Sequence, residues 1–286
     1  MTLGAILTAI VTPFDREGRV DEEAFVDLLH HLCATGSDGV VVAGTTGEAS
    51  TLDTTEHLRV VELACAERPA GATVIAGAGS NDTRHAVEMT ERVTALGVDA
   101  VLSVTPYYNR PPRRGIVAHF RAIAAATDRP VVLYNIPQRT GTDLPNDLRA
   151  ELAQVDGIEA VKQANAANVA PVDGLALYAG NDDLLATVLD LGGPGGILTA
   201  SHLVGDRMRA MVDEPERRHA IEAELLPLYE ALGRHPAAMA LKAALRLQGR
   251  DVGAARLPYV ELDEEETAAL REALARHGLL EPAGRR

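Results

Sequence analysis

Short runs of apolar residues alternate with longer segments of helical periodicity along the first 212 residues of this 286-residue chain. A polar or glycine-containing turn follows each run, as expected for strands that are buried on both faces. The eight runs are Leu3–Val11, Gly39–Ala43, Thr73–Ala78, Ala100–Val104, Pro130–Tyr134, Ile158–Lys162, Leu175–Ala179 and Gly196–Thr199.

Amphipathic segments follow the runs, for example Glu22–Ala34, Thr55–Glu67, Thr83–Leu96 and Gly115–Ala126. Carboxylates directly before helical stretches are expected to cap them, and the candidates are Asp21, Asp53, Asp82 and Asp182. Alternation of strands and helices favours parallel pairing with right-handed crossovers, and eight such units close a (β/α)8 barrel. We predict this barrel for residues 1–214. An open doubly wound sheet is the alternative, but no G-x-G-x-x-G follows the first strand.

The strand-like runs stop after Pro215. Three segments of helical periodicity follow with no apolar run between them, at Glu216–Leu232, Pro236–Leu247 and Glu264–Arg276. Residues 215–286 are therefore predicted to form a helical appendage that covers barrel helices or an interface.

The composition supports one large α/β unit, because 47% of the residues are hydrophobic and only 3% are aromatic. A net charge of −14 argues against nucleic acid or an anionic membrane surface as a partner. If the substrate is an anion, its site must be locally positive.

Two cysteines, Cys33 and Cys65, lie in helical stretches without metal-binding spacing. We expect them to be buried free thiols in a reducing cytoplasm. The sequence begins without the basic segment of a signal peptide, and its apolar runs are too short to span a membrane.

Lysine is rare in this chain, since 25 of the 27 basic residues are arginine. One of the two lysines, Lys162, lies inside the sixth apolar run. An amine placed there can act as a neutral nucleophile toward a carbonyl, which a guanidinium cannot do. The alternative is a chance lysine at a strand end, and Lys162 taken alone fits that alternative better.

The reactive groups of a (β/α)8 barrel lie on the loops at the carboxyl ends of its strands. At those ends the sequence has Gly44-Thr45-Thr46-Gly47-Glu48, the pair Tyr107-Tyr108, Tyr134 with Arg139, Gly180–Asp183 and Gly195–Ile197. Each has an ordinary structural explanation, such as a tight turn or a core tyrosine. Together they place an amine, phenols, a guanidinium and a turn that can bind a carboxylate around one opening.

This combination favours aldol chemistry through a Schiff base. Burial lowers the pKa of an amine, so more of it is neutral near pH 7. The amine attacks the ketone of a 2-keto acid, and the iminium that forms stabilises the neighbouring carbanion as an enamine. A phenol on the adjacent strand can transfer the protons. Arg139 offers a planar fork for a second carboxylate, and nearby Arg110, Arg113 and Arg114 would add positive charge. No cofactor is expected.

A metal-dependent aldolase is disfavoured, because the adjacent pair His30-His31 would point to different sides of a helix. We therefore expect no metal site.

In this order the motifs resemble the dihydrodipicolinate synthase family, within the pyruvate-dependent lyases that include N-acetylneuraminate lyase. The resemblance covers nearly the whole chain, with matches at Thr8–Phe14, Gly44–Glu48, Thr105–Asn109, Leu133–Pro137, Val161-Lys162, Gly180–Asp183, Leu245–Gly249 and Leu257-Pro258. It implies condensation of pyruvate with L-aspartate 4-semialdehyde to 4-hydroxy-tetrahydrodipicolinate, in lysine and diaminopimelate biosynthesis.

The resemblance also implies roles for individual residues. Lys162 would form the Schiff base, and Tyr134 would relay protons. The rest of the implied site comprises Thr46 and Tyr108 in the relay, Thr45 and Thr46 on the pyruvate carboxylate, Arg139 on the carboxylate of the semialdehyde, and Gly180 with the backbone of Ile197 in the pocket wall. The second tyrosine of the pair comes from a neighbouring subunit in the family, so a homotetramer built from tight dimers is implied.

The sequence departs from the family pattern at Gln163 and Asn181, where acids are more usual, and this bears most on the acceptor substrate. His57, Asn81 and Tyr107 fit the family's lysine effector site. At two further positions of that site, His85 replaces an acid found in some regulated members and Ala49 follows Glu48. We expect weak or absent inhibition by lysine.

Two other functions stay open on the sequence. The first is a different pyruvate or 2-keto acid aldolase or dehydratase acting on a sugar acid. The second is a catalytically silent barrel with a binding role, which the intact set of Lys162, Tyr134 and Tyr108 disfavours.

Overall fold

Eight parallel strands, β1 to β8, pair in sequence order, and β8 pairs with β1 to close a barrel in the computed structural model, which describes residues 3–280. The strands are β1 Ile6–Ala9, β2 Gly39–Val42, β3 Thr73–Gly77, β4 Ala100–Val104, β5 Val131–Asn135, β6 Ile158–Gln163, β7 Ala176–Ala179 and β8 Gly195–Leu198. The predicted (β/α)8 barrel is confirmed, and the open sheet is excluded.

Helices follow the strands around the outside. The helices are α1 Glu22–Ala34, α2 Thr54–Glu67, α3 Thr83–Ala95, α4 Arg113–Ala124, α5 Pro137–Thr140, α6 Asn146–Leu152, α7 Leu185–Asp190, α8 Ser201–Asp213, α9 Arg218–Leu232, α10 Ala237–Leu247 and α11 Glu264–Arg276. Short 3-10 turns lie at Ala166–Asn168, Asp182–Leu184 and Pro215–Arg217.

Alternate residues of each strand face opposite sides of the sheet, and both sides are buried. Leu7, Ile75 and Ile197 point into the barrel, where they belong to one buried cluster. Ile6 and Val40 point outward and join the larger cluster between the sheet and the helices. Burial on both faces explains why the strands appear in the sequence as continuous apolar runs.

Aspartate caps begin three of the helices as predicted. Asp21 accepts a hydrogen bond from the Ala24 amide and Asp82 from the Arg84 amide. Asp53 forms a capping box with Glu56 at the start of α2. The prediction for Asp182 is wrong, because its carboxylate accepts hydrogen bonds from the loop after β8 instead of capping a helix.

The two cysteines are unpaired, but they are only partly buried. The expectation of free thiols is therefore confirmed, whereas the expectation that they are buried is wrong. Each lies on a helix, α1 or α2, and packs at the edge of the core rather than inside it.

Helices α9, α10 and α11 follow β8 and α8 and pack together, with α9 and α10 also against α8. All three helices expected in this region are present, and the division at residue 214 stays a prediction. Among residues 3–280, no helix is both long enough and apolar enough to cross a membrane.

Candidate active site

A cavity of about 780 Å³ opens at the carboxyl ends of the barrel strands. It collects most of the side chains singled out in the sequence, and its wall includes Thr45, Thr46, Tyr134, Arg139, Lys162 and Gly180. Helices α9 and α10 close one side of it through Leu226, Tyr229 and Leu241. This contribution could not be predicted from the sequence, because apolar periodicity identifies a helix but not the element that it packs against.

Lys162 lies near the end of β6, directly beside Tyr134 of β5 in the strand register. The Lys162 Nζ is 4.4 Å from the centre of the Tyr134 ring. Both side chains are buried, with exposed fractions of 5% and 7%. The parallel pairing of β5 with β6 therefore places an amine and a phenol next to each other at the floor of the cavity.

The pKa of Lys162 is lowered to about 8, chiefly because burial disfavours the ammonium form. The Asp182 carboxylate opposes this shift and Arg139 adds to it. A useful fraction of the amine is therefore neutral near pH 7, as a nucleophile requires.

Burial raises the pKa of Tyr134 to about 12, while Arg139 and a hydrogen bond with the Thr45 side chain act in the opposite direction. The phenol therefore stays protonated and can donate its proton to a substrate oxygen. Thr45 is exposed to the cavity, whereas Thr46 is 6% exposed. The structure thus favours Thr45 as the hydroxyl beside Tyr134.

Arg139 lies in the short helix α5, which begins two residues after β5. Its side chain is exposed and lines the cavity, and within residues 3–280 no carboxylate forms an ion pair with it. The guanidinium is therefore available to an anionic substrate. Arg113 does not add the positive charge that was expected at the cavity. It lies outside the cavity wall, where its guanidinium forms ion pairs with Asp147 and Glu151.

Gly180 directly follows β7, at the point where the backbone of this strand comes close to the end of β6. A Cβ atom at Gly180 would lie 2.7 Å from the Gln163 carbonyl carbon, so the close approach of the two strands requires glycine. Ile197 is fully buried in the barrel interior, so its side chain does not reach the cavity, and the role expected for its backbone stays a prediction.

Asp182 links the ends of β7 and β8 at the cavity. Its carboxylate accepts hydrogen bonds from the Thr199 amide at 2.8 Å, the Thr199 hydroxyl at 2.6 Å and the Ala200 amide at 3.0 Å. Burial raises its pKa, and these hydrogen bonds and Lys162 hold it down. Asp182 is thus the carboxylate that acts on the charge of Lys162, a role that its place in the sequence did not reveal.

The tyrosine pair divides between the cavity and the solvent. Tyr107 lines the cavity, whereas Tyr108 has a positive φ of 72° and is 90% exposed. The structure of one chain therefore does not bring Tyr108 to Lys162.

The residues suggested for an effector lie at the edge of the same cavity. His57 and His85 line it together with Tyr107, and the His57 Nε2 is 2.8 Å from the Gly77 carbonyl. Asn81 donates a hydrogen bond to the Tyr107 carbonyl at 3.2 Å. Burial lowers the pKa of His57, and His85 lowers it further.

The two departures from the family pattern have different surroundings. Gln163 is fully buried among amides, where it accepts hydrogen bonds from Asn135 and the Asn165 amide and donates one to the Asn168 carbonyl. Asn181 lines the cavity and donates to the Ala164 carbonyl. Only Asn181 can therefore contact a substrate.

No group of three His, Cys, Asp or Glu side chains within residues 3–280 is arranged to hold a metal ion.

Residues 2–277 match the model of the dihydrodipicolinate synthetase family. The chain is 41% identical to the 4-hydroxy-tetrahydrodipicolinate synthase 1 of Halalkalibacterium halodurans, over 96% of this chain and 97% of that protein. It is 43% identical to the 4-hydroxy-tetrahydrodipicolinate synthase of a Synechocystis species, over 97% and 96% of the two chains.

Solved structures show the same similarity. The dihydrodipicolinate synthase of Cyanidioschyzon merolae with lysine bound superposes with a TM-score of 0.91 at 40% identity, covering 97% of this chain and 99% of that one. The chloride-inhibited dihydrodipicolinate synthase of Acinetobacter baumannii complexed with pyruvate gives a TM-score of 0.92 at 32% identity, covering 98% and 100%.

Proposed function

The chain belongs to the dihydrodipicolinate synthetase family, and from this premise we propose that it is a 4-hydroxy-tetrahydrodipicolinate synthase. Its substrates are then pyruvate and L-aspartate 4-semialdehyde. The observation that carries the proposal is the buried amine of Lys162 beside Tyr134, in the same cavity as Arg139, which forms no ion pair with any residue of the described range 3–280.

The first step is formation of an imine. The neutral Nζ of Lys162 attacks C2 of pyruvate, and the carbinolamine loses its oxygen as water. The Tyr134 phenol can protonate that oxygen, and Thr45 at its hydroxyl can pass the proton onward. We therefore propose that Thr45 takes part in the proton relay. Thr45 and Thr46 together are proposed to bind the pyruvate carboxylate.

The second step forms the carbon–carbon bond. Loss of a C3 proton turns the iminium into an enamine, whose C3 attacks the aldehyde carbon of the semialdehyde. The aldehyde oxygen takes up a proton and becomes a hydroxyl group. The amino group of the acceptor then attacks C2, which closes the ring and releases the Lys162 amine.

Arg139 is proposed to bind the carboxylate of the acceptor. Its guanidinium is positioned at the cavity wall and carries no ion pair among residues 3–280, so a planar carboxylate can take both of its parallel donors. Asn181 is neutral and also lines the wall, which suits an acceptor with a single acidic group.

A homotetramer built from tight dimers belongs to the same proposal. Tyr108 projects from the chain with 90% of its surface exposed, which suits a residue that completes the site of a neighbouring subunit. A cytoplasmic location is also proposed, because Cys33 and Cys65 are unpaired thiols that suit a reducing compartment.

The decisive experiment is reduction with borohydride in the presence of pyruvate, followed by peptide mass mapping. We expect one adduct at Lys162 and none in the Lys162→Ala variant, which should also lose turnover. If the protein treated with borohydride and pyruvate carries no adduct at Lys162, the Schiff-base mechanism is refuted.

Identity of the acceptor needs a separate test. Arg139→Ala should still form the pyruvate imine but lose roughly a hundredfold or more in kcat/KM for the semialdehyde, because the acceptor is no longer held for attack. Arg114→Ala is the matched control, since Arg114 is an exposed arginine outside the cavity wall. Faster turnover with a sugar-acid aldehyde in the same assay would instead favour a different aldolase.

A further inference from the structure

The second lysine of the chain, Lys242, is also buried and lies outside the proposed catalytic set. It is on α10 with an exposed fraction of 1%, and its Nζ lies 4.0 Å from the centre of the Phe14 ring. The Nζ is 2.7 Å from Oε1 of Glu48 and donates a hydrogen bond to the Ala254 carbonyl at 3.1 Å. Lys242 therefore forms an ion pair in the interior of the protein.

Glu48 is the last residue of the turn that carries Thr45 and Thr46. Its side chain is fully buried, and its second oxygen, Oε2, accepts a hydrogen bond from the Arg256 amide at 2.8 Å. Both carboxylate oxygens are thus held by the carboxyl-terminal part of the chain, one by α10 and the other by the segment after it.

The backbone is strained at the residue before this turn and at its last residue. Ala43 and Glu48 have φ values of 51° and 57°, in the left-handed region that disfavours residues other than glycine. Such conformations persist when the surroundings fix them. On one side of the turn, the Thr12 hydroxyl donates a hydrogen bond to the Gly47 carbonyl at 2.7 Å. On the other side, the Glu48 carboxylate connects the turn to Lys242 of α10 and to the Arg256 amide.

Arg256 strengthens the same link. Its guanidinium forms an ion pair with Glu56 on α2, donates a hydrogen bond to the Thr51 carbonyl, and lies 4.1 Å from the Phe14 ring on which Lys242 also rests. The residues just after the turn are therefore tied to the same carboxyl-terminal segment.

Removing two ions from water is costly, and apolar residues of similar size often give equal or greater stability than a buried ion pair. We propose that the Lys242–Glu48 pair positions the Thr45–Thr46 turn for the carboxylate of the keto acid, by fixing the turn to α10 and to the segment around Arg256. This inference rests on the proposed function. Lys242 is here a positioning residue, because it acts on the substrate only through Glu48.

The double variant Lys242→Met with Glu48→Gln tests this proposal, because it removes both charges together and leaves neither ion buried alone. We expect the KM for pyruvate to rise roughly tenfold or more, since small displacements of binding groups have large effects. The matched control is Arg246→Met with Glu261→Gln, which removes a partly exposed ion pair between α10 and the segment that follows it. The control should keep the KM of the unaltered enzyme. A folded double variant with an unchanged KM would overturn the proposal.

A second measurement uses the unaltered chain and decides the matter if the double variant does not fold. Pyruvate should slow hydrogen exchange in residues 44–51, and it should also slow exchange of the Arg256 amide, which donates to Glu48. Peptides from α11 serve as the control. Slower exchange in residues 44–51 without any change at Arg256 would show that the turn is not coupled to this segment.

Failure of the proposed function has a different signature. If borohydride and pyruvate leave Lys162 unmodified in the unaltered chain, the Schiff-base function itself is refuted. If Lys162 is modified but the exchange and KM results are negative, only the role of the Lys242–Glu48 pair is refuted.

Discussion

The charge on the Lys162 amine is set by burial and by two charged neighbours with opposing effects. Burial lowers its pKa most, Arg139 lowers it further, and Asp182 raises it, so that the result is about 8. Asp182 is itself fixed by three hydrogen bonds from Thr199 and Ala200, so its distance from the amine does not depend on a mobile side chain. The loop after β8 therefore holds the carboxylate that opposes the effect of burial on this amine.

This arrangement predicts the pH dependence of the reaction. Because only the neutral amine attacks, kcat/KM for pyruvate should rise with pH and level off above pH 8, with a slope of about tenfold per unit below it. Asp182→Asn keeps a hydrogen-bond acceptor but removes the negative charge, so the pKa of Lys162 should fall and the rising limb should move to lower pH. A limb that stays in place or moves to higher pH would contradict this account.

The residues around His57 are those expected to bind lysine as an effector. Within residues 3–280, the cavity wall on this side contains Ala49, Ser50, Ser80 and His85 and no carboxylate. The ammonium groups of lysine therefore meet no opposite charge from these residues. We expect weak or absent inhibition by lysine in steady-state assays. Strong inhibition at low millimolar lysine would refute this expectation.

A single substitution should strengthen that response. His85→Glu adds a carboxylate to the wall and should tighten inhibition by lysine roughly fivefold, the effect of one partly exposed ion pair. Arg84→Glu, on the same helix but outside the cavity wall, is the control and should leave inhibition unchanged.

At the scale of elements, the site depends on how closely β6 and β7 approach each other. The Gly180 amide donates to the Gln163 carbonyl at 2.8 Å, directly after Lys162. Gly180→Ala should force the two strand ends apart, because its Cβ would meet backbone atoms 2.7 to 2.8 Å away. We expect turnover to fall about a hundredfold while the chain still folds.

The control for Gly180→Ala is Gly115→Ala in α4. There the nearest atom to a new Cβ is the Pro111 Cβ at 3.3 Å, and alanine favours a helix. Thermal unfolding and turnover of this control should match the unaltered chain. Normal turnover in Gly180→Ala would show that the strand ends can adjust without displacing Lys162.

Most helices and strands could be predicted from the sequence, because the periodicity of apolar residues and the capping residues depend only on neighbouring positions in the chain. Strand β4 and helices α1 and α11 have the predicted bounds. Helix α4 begins at Arg113, two residues before its predicted start, because Pro112 ends the extended segment directly before it. Asp182 was misassigned because the groups that it binds lie 17 and 18 residues later, beyond the reach of any local pattern.

At the scale of the whole molecule, Tyr108 predicts an active site shared between subunits. Lys162→Ala and Tyr108→Phe should each have low activity alone. When the two variants are mixed at equal amounts and allowed to exchange subunits, half of the dimers are mixed, and each holds one site with both residues intact. Activity should recover to about a quarter of the unaltered level if pairing is random. No recovery after verified exchange would place Tyr108 outside its neighbour's site.

The candidate site could be predicted from the sequence in part. The barrel topology converts eight separate strand ends into one ring, so motifs at those ends meet whatever their separation along the chain. That rule gathered Lys162, Tyr134 and Arg139 around one cavity. The same rule does not predict that α9 and α10 line the cavity or that Lys242 pairs with Glu48. Both features depend on how the carboxyl-terminal helices pack on the barrel.

Both lysine side chains of this protein are inside it, with exposed fractions of 5% and 1%. An acylating reagent added to the native protein therefore meets hardly any ε-amino group at the surface. Acylation of Lys242 would report opening of the carboxyl-terminal helices, whereas acylation of Lys162 would report access to the cavity. A bound keto acid should shield Lys162 alone, so the ratio of the two modified peptides separates ligand occupancy from unfolding in one reaction tube.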